Sequence, residues 1–264
     1  MKLLITGGDG FIGKHLTKRV DNYVVADLKS GTDINSNKFN AMCREYRPDV
    51  IVHLAADSST PRSIQDPKTN FVDNVMGTFN VLEMAREIGA KVHFTSSVKA
   101  GTGTPYGTSK ECGELYVQDW GSTYGVPYII NRPGTIYGEG QSGSEESGWV
   151  DWFVRASLQN KPITIYGDGN QVRRILHVDD YVHLILNQLL IFDEWQGIWD
   201  VDGGIENEVS LLDVLSYLEY DNYKHEDARI NDVIDYPMAQ PLPGFKPIIY
   251  WESGLHRLIK YYKD

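Results

Sequence analysis

The first half of the chain alternates short apolar runs with stretches that repeat at helical spacing. Leu3 to Thr6, Tyr23 to Asp27, Asp49 to Leu54, Val92 to Thr95 and Pro127 to Asn131 read as strands. Phe11 to Val20, Asn37 to Tyr46, Val72 to Ile88 and Tyr106 to Tyr124 read as helices between them, with Phe71, Val75, Phe79 and Leu82 forming one apolar stripe. Strand and helix in repetition predict an α/β class, a doubly wound parallel sheet with helices on both faces. Ligands of such sheets bind beyond the carboxyl ends of the strands.

Beyond Tyr137 the pattern changes. Gly138 to Gly148, rich in Gly, Ser and Glu, reads as a mobile loop. Trp149 to Leu158 reads as a helix, and Ile163 to Tyr166 and Val172 to His177 as short strands. Asp179 to Ile191 is a helix with Asp179 near its N-cap, and Ser210 caps a helix running to Leu218. Gly254 to Tyr262 is a terminal helix, while polar Tyr220 to Asp232 receives no element. The expected organisation is a main domain over 1–137, with contributions from about 172–201. A small C-terminal lobe over 138–264 is expected to close over it.

Composition narrows the function. The 264 residues suffice for one large α/β domain, or a core domain and a small lobe. The formal net charge is −11 and the pI about 5.1, which disfavours nucleic acid as a partner but leaves room for a local arginine site for a small anion. The longest nearly apolar stretch, Tyr181 to Phe192, is broken by His183, Asn187 and Gln188 and is too short to span a bilayer. No leader-cleavage pattern follows Met1 to Ile5. Cys43 and Cys112 are too few for a disulfide framework and lack metal-ligand spacing, so no metal site is expected. These features read as a soluble, cytoplasmic protein.

Two constellations carry chemistry. Thr6-Gly7-Gly8-Asp9-Gly10-Phe11-Ile12-Gly13 follows a strand and opens a helix. Gly7, Gly10 and Gly13 let the backbone turn tightly under a pyrophosphate, with the free N–H groups of the helix start facing the anion. Asp27 ends the next strand, twenty residues after Gly7, where a carboxylate accepts bonds from the adenosine ribose and repels a 2′-phosphate. The reading is a Rossmann-type domain with NAD, rather than NADP, as cofactor. The second constellation is Tyr106 and Lys110, four apart and on one helix face. A lysine ammonium beside a phenol favours the phenolate, which can take a proton from an alcohol. The strand Val92 to Thr95 ends in the tail Ser96-Ser97, which offers a hydroxyl for the reacting oxygen.

With these residues the chain resembles the extended short-chain dehydrogenase/reductase family, in its NAD-dependent epimerase/dehydratase branch. The resemblance rests also on His53-Leu54-Ala55-Ala56, Asn74-Val75-Met76-Gly77-Thr78, Thr95-Ser96-Ser97, Pro105-Tyr106-Gly107-Thr108-Ser109-Lys110, Asn131-Arg132-Pro133, Gly167-Asp168-Gly169 with Arg173, and His177-Val178-Asp179-Asp180. It implies Tyr106 as proton-transferring acid/base, Lys110 at the nicotinamide ribose and Ser97 as catalytic hydroxyl. It implies cofactor contacts from Gly7, Gly10, Phe11, Ile12, Gly13, Asp27, Asp33, Ile34, Leu54, Ala55, Ala56, Asn74, Thr95 and Pro133, with Asp33 and Ile34 reaching the adenine. Substrate contacts fall to Ser97, Thr135 and Arg173, the last gripping a pyrophosphate. His53 and His177 read as packing residues. A homodimer through the helices Val72 to Ile88 and Tyr106 to Tyr124 is implied.

The reaction is read from the segment after Ser97. The family's 4,6-dehydratases carry a Thr-Asp-Glu triplet where this chain has Ser97-Val98-Lys99. Without the acidic pair the resemblance points to a nucleotide-sugar 4-epimerase, which oxidises C4 to a ketone and reduces it from the opposite face. A 4-keto nucleotide-sugar reductase is the alternative, because the stretch from Asp27 to Asp33 is too short for a strand usual in the family. A non-catalytic dinucleotide-binding regulator is the third reading. Departures fall on the substrate side: Thr135 stands where many relatives have Asn, and Arg174 where Asp often follows the arginine. Arg132, Arg155, Arg173 and Arg174 are the cations expected near a diphosphate.

Overall fold

The computed structural model describes residues 1–228 and 242–264. In chain order the elements begin β1 (Leu3–Thr6), α1 (Phe11–Thr17), β2 (Tyr23–Ala26), α2 (Asn37–Tyr46), β3 (Val50–His53), α3 (Thr60–Gln65) and α4 (Pro67–Asn70). A π-helical turn, Phe71–Met76, leads into α5 (Gly77–Ile88), followed by β4 (Lys91–Thr95), α6 (Pro105–Tyr124) and β5 (Tyr128–Pro133). Then come β6 (Thr135–Tyr137), α7 (Trp149–Leu158), β7 (Ile163–Tyr166), β8 (Val172–His177), α8 (Val178–Leu190) and β9 (Gly197–Val201). The last are β10 (Glu208–Ser210), α9 (Leu211–Tyr217), β11 (Tyr223–Glu226) and α10 (Trp251–Lys263).

The described residues divide into two compact units, one of 1–133 and 185–200, the other of 134–184, 201–228 and 242–264. The first unit holds a six-stranded sheet in the order β2-β1-β3-β4-β5-β9. The pairs β1–β2, β1–β3, β3–β4 and β4–β5 are parallel, with Ile5 opposite Val25 and Val52, and Phe94 opposite His53 and Ile130. β1 and β3 are buried along their whole length, as strands covered on both faces must be. Between Asp27 and Asp33 the chain makes turns and goes directly to α2, so the expected missing strand is indeed absent there. The order reverses at β1 and β3, and the crevice beyond their carboxyl ends is where such sheets take ligands.

Local chemistry explains the helices. Thr104 caps α6 by accepting from the Gly107 N–H, Pro105 opens it, and Gly125 ends it at φ +70. α1 stops at Thr17, short of the expected Val20, because Leu16 is its last buried residue and Lys18 and Arg19 face solvent. The expected helix Val72 to Ile88 is wider in its first turn. The π turn there brings buried Asn74 inward, the kind of local widening that accompanies functional positions. α3 and α4 lie in a stretch without an expected element; their short polar sequences have no apolar period, and caps from Ser59 and Asp66 define them.

In the second unit β8 lies between β6, parallel to it, and β10, antiparallel; β11 pairs in parallel with β7. Tyr137, Phe153, Ile163, Ile175, Leu255 and Leu258 form its core. Ser210 and Asp213 make the capping box of α9. The glycine-rich loop 138–148, expected to be mobile, is fastened. Buried Asp151 accepts from the Gly143 N–H at 2.8 Å and Arg155 Nε at 2.9 Å, and Tyr262 OH donates to it at 2.5 Å.

The core of the first unit contains a polar trio that hydrophobic patterning does not reveal. Asn131 and Gln188 exchange amide hydrogen bonds of 2.7 and 2.9 Å, and His93 Nε2 lies 2.9 Å from Gln188 Oε1. Burial lowers the His93 pKa from 6.5 to about 4. Between those values the unfolded chain binds a proton that the folded chain refuses. Stability is therefore complete above pH 6.5 and declines as the pH falls toward 4. His93→Leu leaves Gln188 Oε1 accepting from Asn131. We expect it to flatten the urea-derived stability curve between those pH values by on the order of 3 kcal/mol. Parallel curves for the two proteins would show that His93 does not titrate in this way.

Candidate active site

The turn after β1 closes on itself and on the neighbouring loop. A Cβ on Gly7, whose φ is +69, would sit 2.7 Å from the Ala55 nitrogen, and one on Gly13 would overlap the Gly7 carbonyl. Gly10 is the N-cap of α1 without a side-chain cap, and the first amide of the helix to find a backbone acceptor is Lys14, at 3.0 Å from Gly10 O. The N–H groups of Phe11, Ile12 and Gly13 thus face the crevice as donors, an arrangement that suits a pyrophosphate. Asp27 accepts from the Asp9 N–H at 3.1 Å and the Lys29 N–H at 2.8 Å, which fixes its carboxylate at the edge of the turn. Asp33 accepts from the Asn35 N–H at 2.8 Å, and Ile34 turns its side chain into the core. Leu54, Ala55 and Ala56 leave β3 half-buried, the Ala55 N–H bonded to Thr6 Oγ1 at 3.2 Å.

His53 supports this corner without entering it. Its Nδ1 lies 2.7 Å from Thr6 Oγ1 and its Nε2 3.0 Å from Thr78 Oγ1, which itself donates to the Asn74 carbonyl at 2.6 Å. Burial, and next the Lys110 charge, lower its pKa to about 3, so it is a neutral link in that chain.

The end of β4 is tied to α6 three times in succession. Lys110 Nζ donates to the Thr95 carbonyl at 2.9 Å. Ser96 Oγ donates to Glu114. Ser97 is hydrogen-bonded to Tyr106. Tyr106, Lys110 and Glu114 stand one helical turn apart, so one face of α6 meets three consecutive residues of the strand end. Asn74 joins them: its Nδ2 donates to Ser109 Oγ and to the Asp57 carbonyl, both at 2.9 Å, and its Oδ1 accepts from the Asp57 N–H at 2.8 Å. Ser63 Oγ on α3 accepts from the Tyr106 N–H at 3.1 Å.

Burial sets the electrostatics. It pushes the Tyr106 phenol up to about 12, against the Ser97 hydrogen bond, which lowers it. The expected depression of this phenol by Lys110 is not realised, because the ammonium is turned onto the Thr95 carbonyl. Burial likewise pulls Lys110 down to about 8, with the Glu114 charge acting the other way.

The remaining expected residues stand elsewhere. Pro133 ends β5, its carbonyl accepting from the Val98 N–H at 3.1 Å. Thr135 and Arg173 belong to the second unit, on β6 opposite Ile175 and on β8 opposite Val209. Three of the four arginines expected near a diphosphate hold carboxylates of their own unit: Arg132 with Glu114, Arg155 with Asp151, and Arg174 with Asp202 and Glu208. Glu114, Asp57 and Ser63 support these residues yet were not singled out by sequence, and Ser96, read with Ser97 as a hydroxyl for the reacting oxygen, is bonded to Glu114 instead. Only the position of Glu114, one turn after Lys110, could have drawn attention to it.

A parallel nucleotide-binding sheet with a glycine turn beyond β1 and a buried Tyr–Lys pair beyond β4 defines the class of the protein. The chain matches the model of the NAD dependent epimerase/dehydratase family over residues 3–193. It is 30% identical to a putative UDP-glucose 4-epimerase of Methanocaldococcus jannaschii, over 99% of this chain and 98% of that protein. It is 26% identical to the dTDP-glucose 4,6-dehydratase of Salmonella typhimurium, over 99% and 92%. The UDP-glucose 4-epimerase of Thermus thermophilus, solved in complex with NAD, superposes with a TM-score of 0.87 at 25% identity, over 100% and 99% of the two chains. The protein belongs to the NAD dependent epimerase/dehydratase family.

The Glu114–Arg132 pair is nearly dry, with side-chain exposures of 2% and 16%. Glu114→Ala strands the guanidinium, and we expect a loss of about 3 kcal/mol in urea unfolding. Replacing both, Glu114→Leu with Arg132→Leu, restores most of it. If the double variant is as unstable as the single one, the pair is not the source of the loss.

Proposed function

We propose that the protein is an NAD-dependent nucleotide-sugar 4-epimerase. The observation that carries this reading is the buried cluster of Ser97, Tyr106 and Lys110 beside the glycine turn, with Val98 and Lys99 where a dehydratase has its acidic pair. Gly10, Phe11, Ile12 and Gly13 hold the cofactor pyrophosphate, Asp27 the adenosine ribose, and Asp33 and Ile34 border the adenine. Leu54, Ala55, Ala56, Thr95 and Pro133 line the rest of the groove, and Lys110 bonds the nicotinamide ribose. Bound NAD supplies the electron-pair acceptor, and later donor, for the carbon–hydrogen bond at sugar C4.

The chain's own residues handle the proton. Tyr106 Oη takes it from the C4 hydroxyl, and Ser97 Oγ holds that oxygen in place. A phenol near 12 is a poor base at neutral pH, so it needs a cation close by when it works. Lys110, ionised below about 8 and on the same face of α6, is assigned that task once it leaves the Thr95 carbonyl for the cofactor. Proton return to the same oxygen from Tyr106 completes inversion, with no net consumption of cofactor. Arg173 meets the substrate diphosphate and Thr135 its sugar.

The reading of a 4-keto nucleotide-sugar reductase is favoured by one feature, the direct passage from Asp27 to α2 without an intervening strand. Cofactor stoichiometry separates the two. An epimerase carries NAD through purification and inverts UDP-, GDP- or dTDP-hexoses at C4 without consuming it; a reductase consumes NADH or NADPH. Absence of C4 inversion on every such sugar, with or without added NAD, would sink the epimerase reading.

A homodimer fits the surface of the first unit. Val72, Met76, Leu115 and Tyr116 are exposed on the π turn and α6, beside edge-on contacts of Phe79, Tyr116, Trp120 and Tyr124. Among the described residues no helix is long and apolar enough to cross a membrane.

Three results are expected. Tyr106→Phe lowers kcat by about 10²- to 10⁴-fold while NAD affinity, measured by calorimetry, changes only severalfold. Cofactor affinity and turnover fall as the pH rises through about 8, where Lys110 loses its charge, and Lys110→Arg moves that limb upward. Leu115→Glu shifts the sedimentation coefficient from dimer to monomer; an unchanged value places the interface elsewhere.

A further inference from the structure

Tyr106 is the second residue of α6, a place where a helix cannot bond its own amide. Pro105, the first residue, has no N–H to satisfy. The Gly107 N–H goes to Thr104 Oγ1 at 3.0 Å and the Thr108 N–H to the Thr104 carbonyl at 2.8 Å. The buried Tyr106 N–H is left, and its acceptor comes from another helix, Ser63 Oγ of α3 at 3.1 Å. Ser63 is itself fully buried. Its hydroxyl hydrogen goes to the Thr60 carbonyl at 2.7 Å, so a lone pair is what it turns toward Tyr106.

The carbonyl of Tyr106 is tied as well. Ser109 Oγ donates to it at 2.8 Å and accepts from Asn74 Nδ2 at 2.9 Å. Asn74 grips both the N–H and the carbonyl of Asp57, whose carboxylate accepts from the Ser59 N–H at 3.1 Å. Ser59 caps α3, and its carbonyl accepts from the Ser63 N–H at 2.9 Å. The bonds close a ring that leaves Tyr106 by its N–H, runs through α3, Asp57 and Asn74, and returns to its carbonyl. A Cβ on Gly107 would overlap the Lys99 carbonyl, so the next residue is pressed against backbone too.

We propose that Ser63 is a positioning residue for the proton transfer: its hydroxyl fixes the backbone from which the Tyr106 phenol reaches the substrate oxygen. The proposal rests on Tyr106 as the acid/base of the epimerase reading. The phenol oxygen lies at the far end of a rigid ring, so a small tilt of the backbone is magnified there. A displacement of about 1 Å at a reacting group costs about 10²-fold in rate. Without the Ser63 oxygen the buried amide has no acceptor, and it turns to another or takes in water. Either change moves the phenol and leaves the glycine turn after β1 as it was.

The test compares Ser63→Ala, Tyr106→Phe and the double variant on the NAD-supplemented protein, using the UDP-, GDP- or dTDP-hexose that the wild type inverts. Ser63→Ala is expected to lower kcat about 10- to 100-fold, while KM and the calorimetric NAD affinity change less than about threefold. In the Tyr106→Phe background it is expected to cost nothing further, because the phenol it places is gone. An unchanged kcat, or an equal loss in both backgrounds, overturns the proposal. Ser63→Cys, close in size and a weak acceptor, is read in the same way if the alanine variant fails to bind NAD. If the wild type inverts no nucleotide-sugar, the epimerase reading falls and Ser63 is judged by amide hydrogen exchange. The Tyr106 amide is then expected to exchange at least about 10-fold faster in Ser63→Ala, with that of Gly107, held by Thr104, little changed. An equal change at both amides, or none at Tyr106, overturns the tether.

Discussion

Three consecutive residues at the carboxyl end of β4 are bonded to one face of α6, and the rest of the site depends on that fastening. The Thr95 carbonyl receives Lys110, the Ser96 hydroxyl reaches Glu114, and Ser97 meets Tyr106. A strand end turns successive side chains to opposite sides, so one helix face can meet all three only through a mixture of backbone and side-chain contacts. Ser96 and Ser97 thus have different partners: the first holds Glu114, the second Tyr106. Glu114 completes the lock with a bidentate bond to Arg132 of β5. Two strands and a helix are held in register by one buried carboxylate.

The same burial that fixes the geometry sets the chemistry. Tyr106 and Lys110 are both buried, and desolvation moves their pKa values apart, up from 10 to about 12 for the phenol and down from 10.5 to about 8 for the amine. Each group is thereby pushed toward its neutral form. The neutral histidines play the opposite part. His53 links β1 and β3 to the turn of helix carrying Asn74, and His93 locks β4 and β5 through Gln188. Both work because burial keeps them uncharged.

Membership of the NAD dependent epimerase/dehydratase family is consistent with a division of labour within the chain. The glycine turn and the Tyr–Lys face are built from backbone geometry that tolerates no bulk, as Gly7, Gly13 and Gly107 each show. The short segment from Ser97 to Tyr106 carries Lys99 and no acidic residue. Arginines that the sequence offered for a diphosphate are largely occupied with Glu114, Asp151, Asp202 and Glu208. Arg173 donates to the carbonyl of its neighbour, Val172, at 2.8 Å.

Much of this was legible in the sequence. The periodicity of Leu3 to Thr6 against Phe11 to Val20, with glycines between, specified a strand, a turn and a helix, though not the helix's end at Thr17, because those residues act through local backbone geometry. Tyr106 and Lys110 were legible for the same reason, four apart on one helix. What failed was anything decided by a partner distant along the chain. The π turn at Asn74 exists to meet Asp57 and Ser109, and α3 is held by packing on α6. The polarity of His93, Asn131 and Gln188 reads as surface until tertiary contact pairs them. The pKa of Tyr106 moved up rather than down because burial, which spacing cannot report, outweighs the Ser97 hydrogen bond. Local steric and hydrogen-bonding rules act between neighbours and were written in the sequence; desolvation and long-range pairing act through space and waited for the fold.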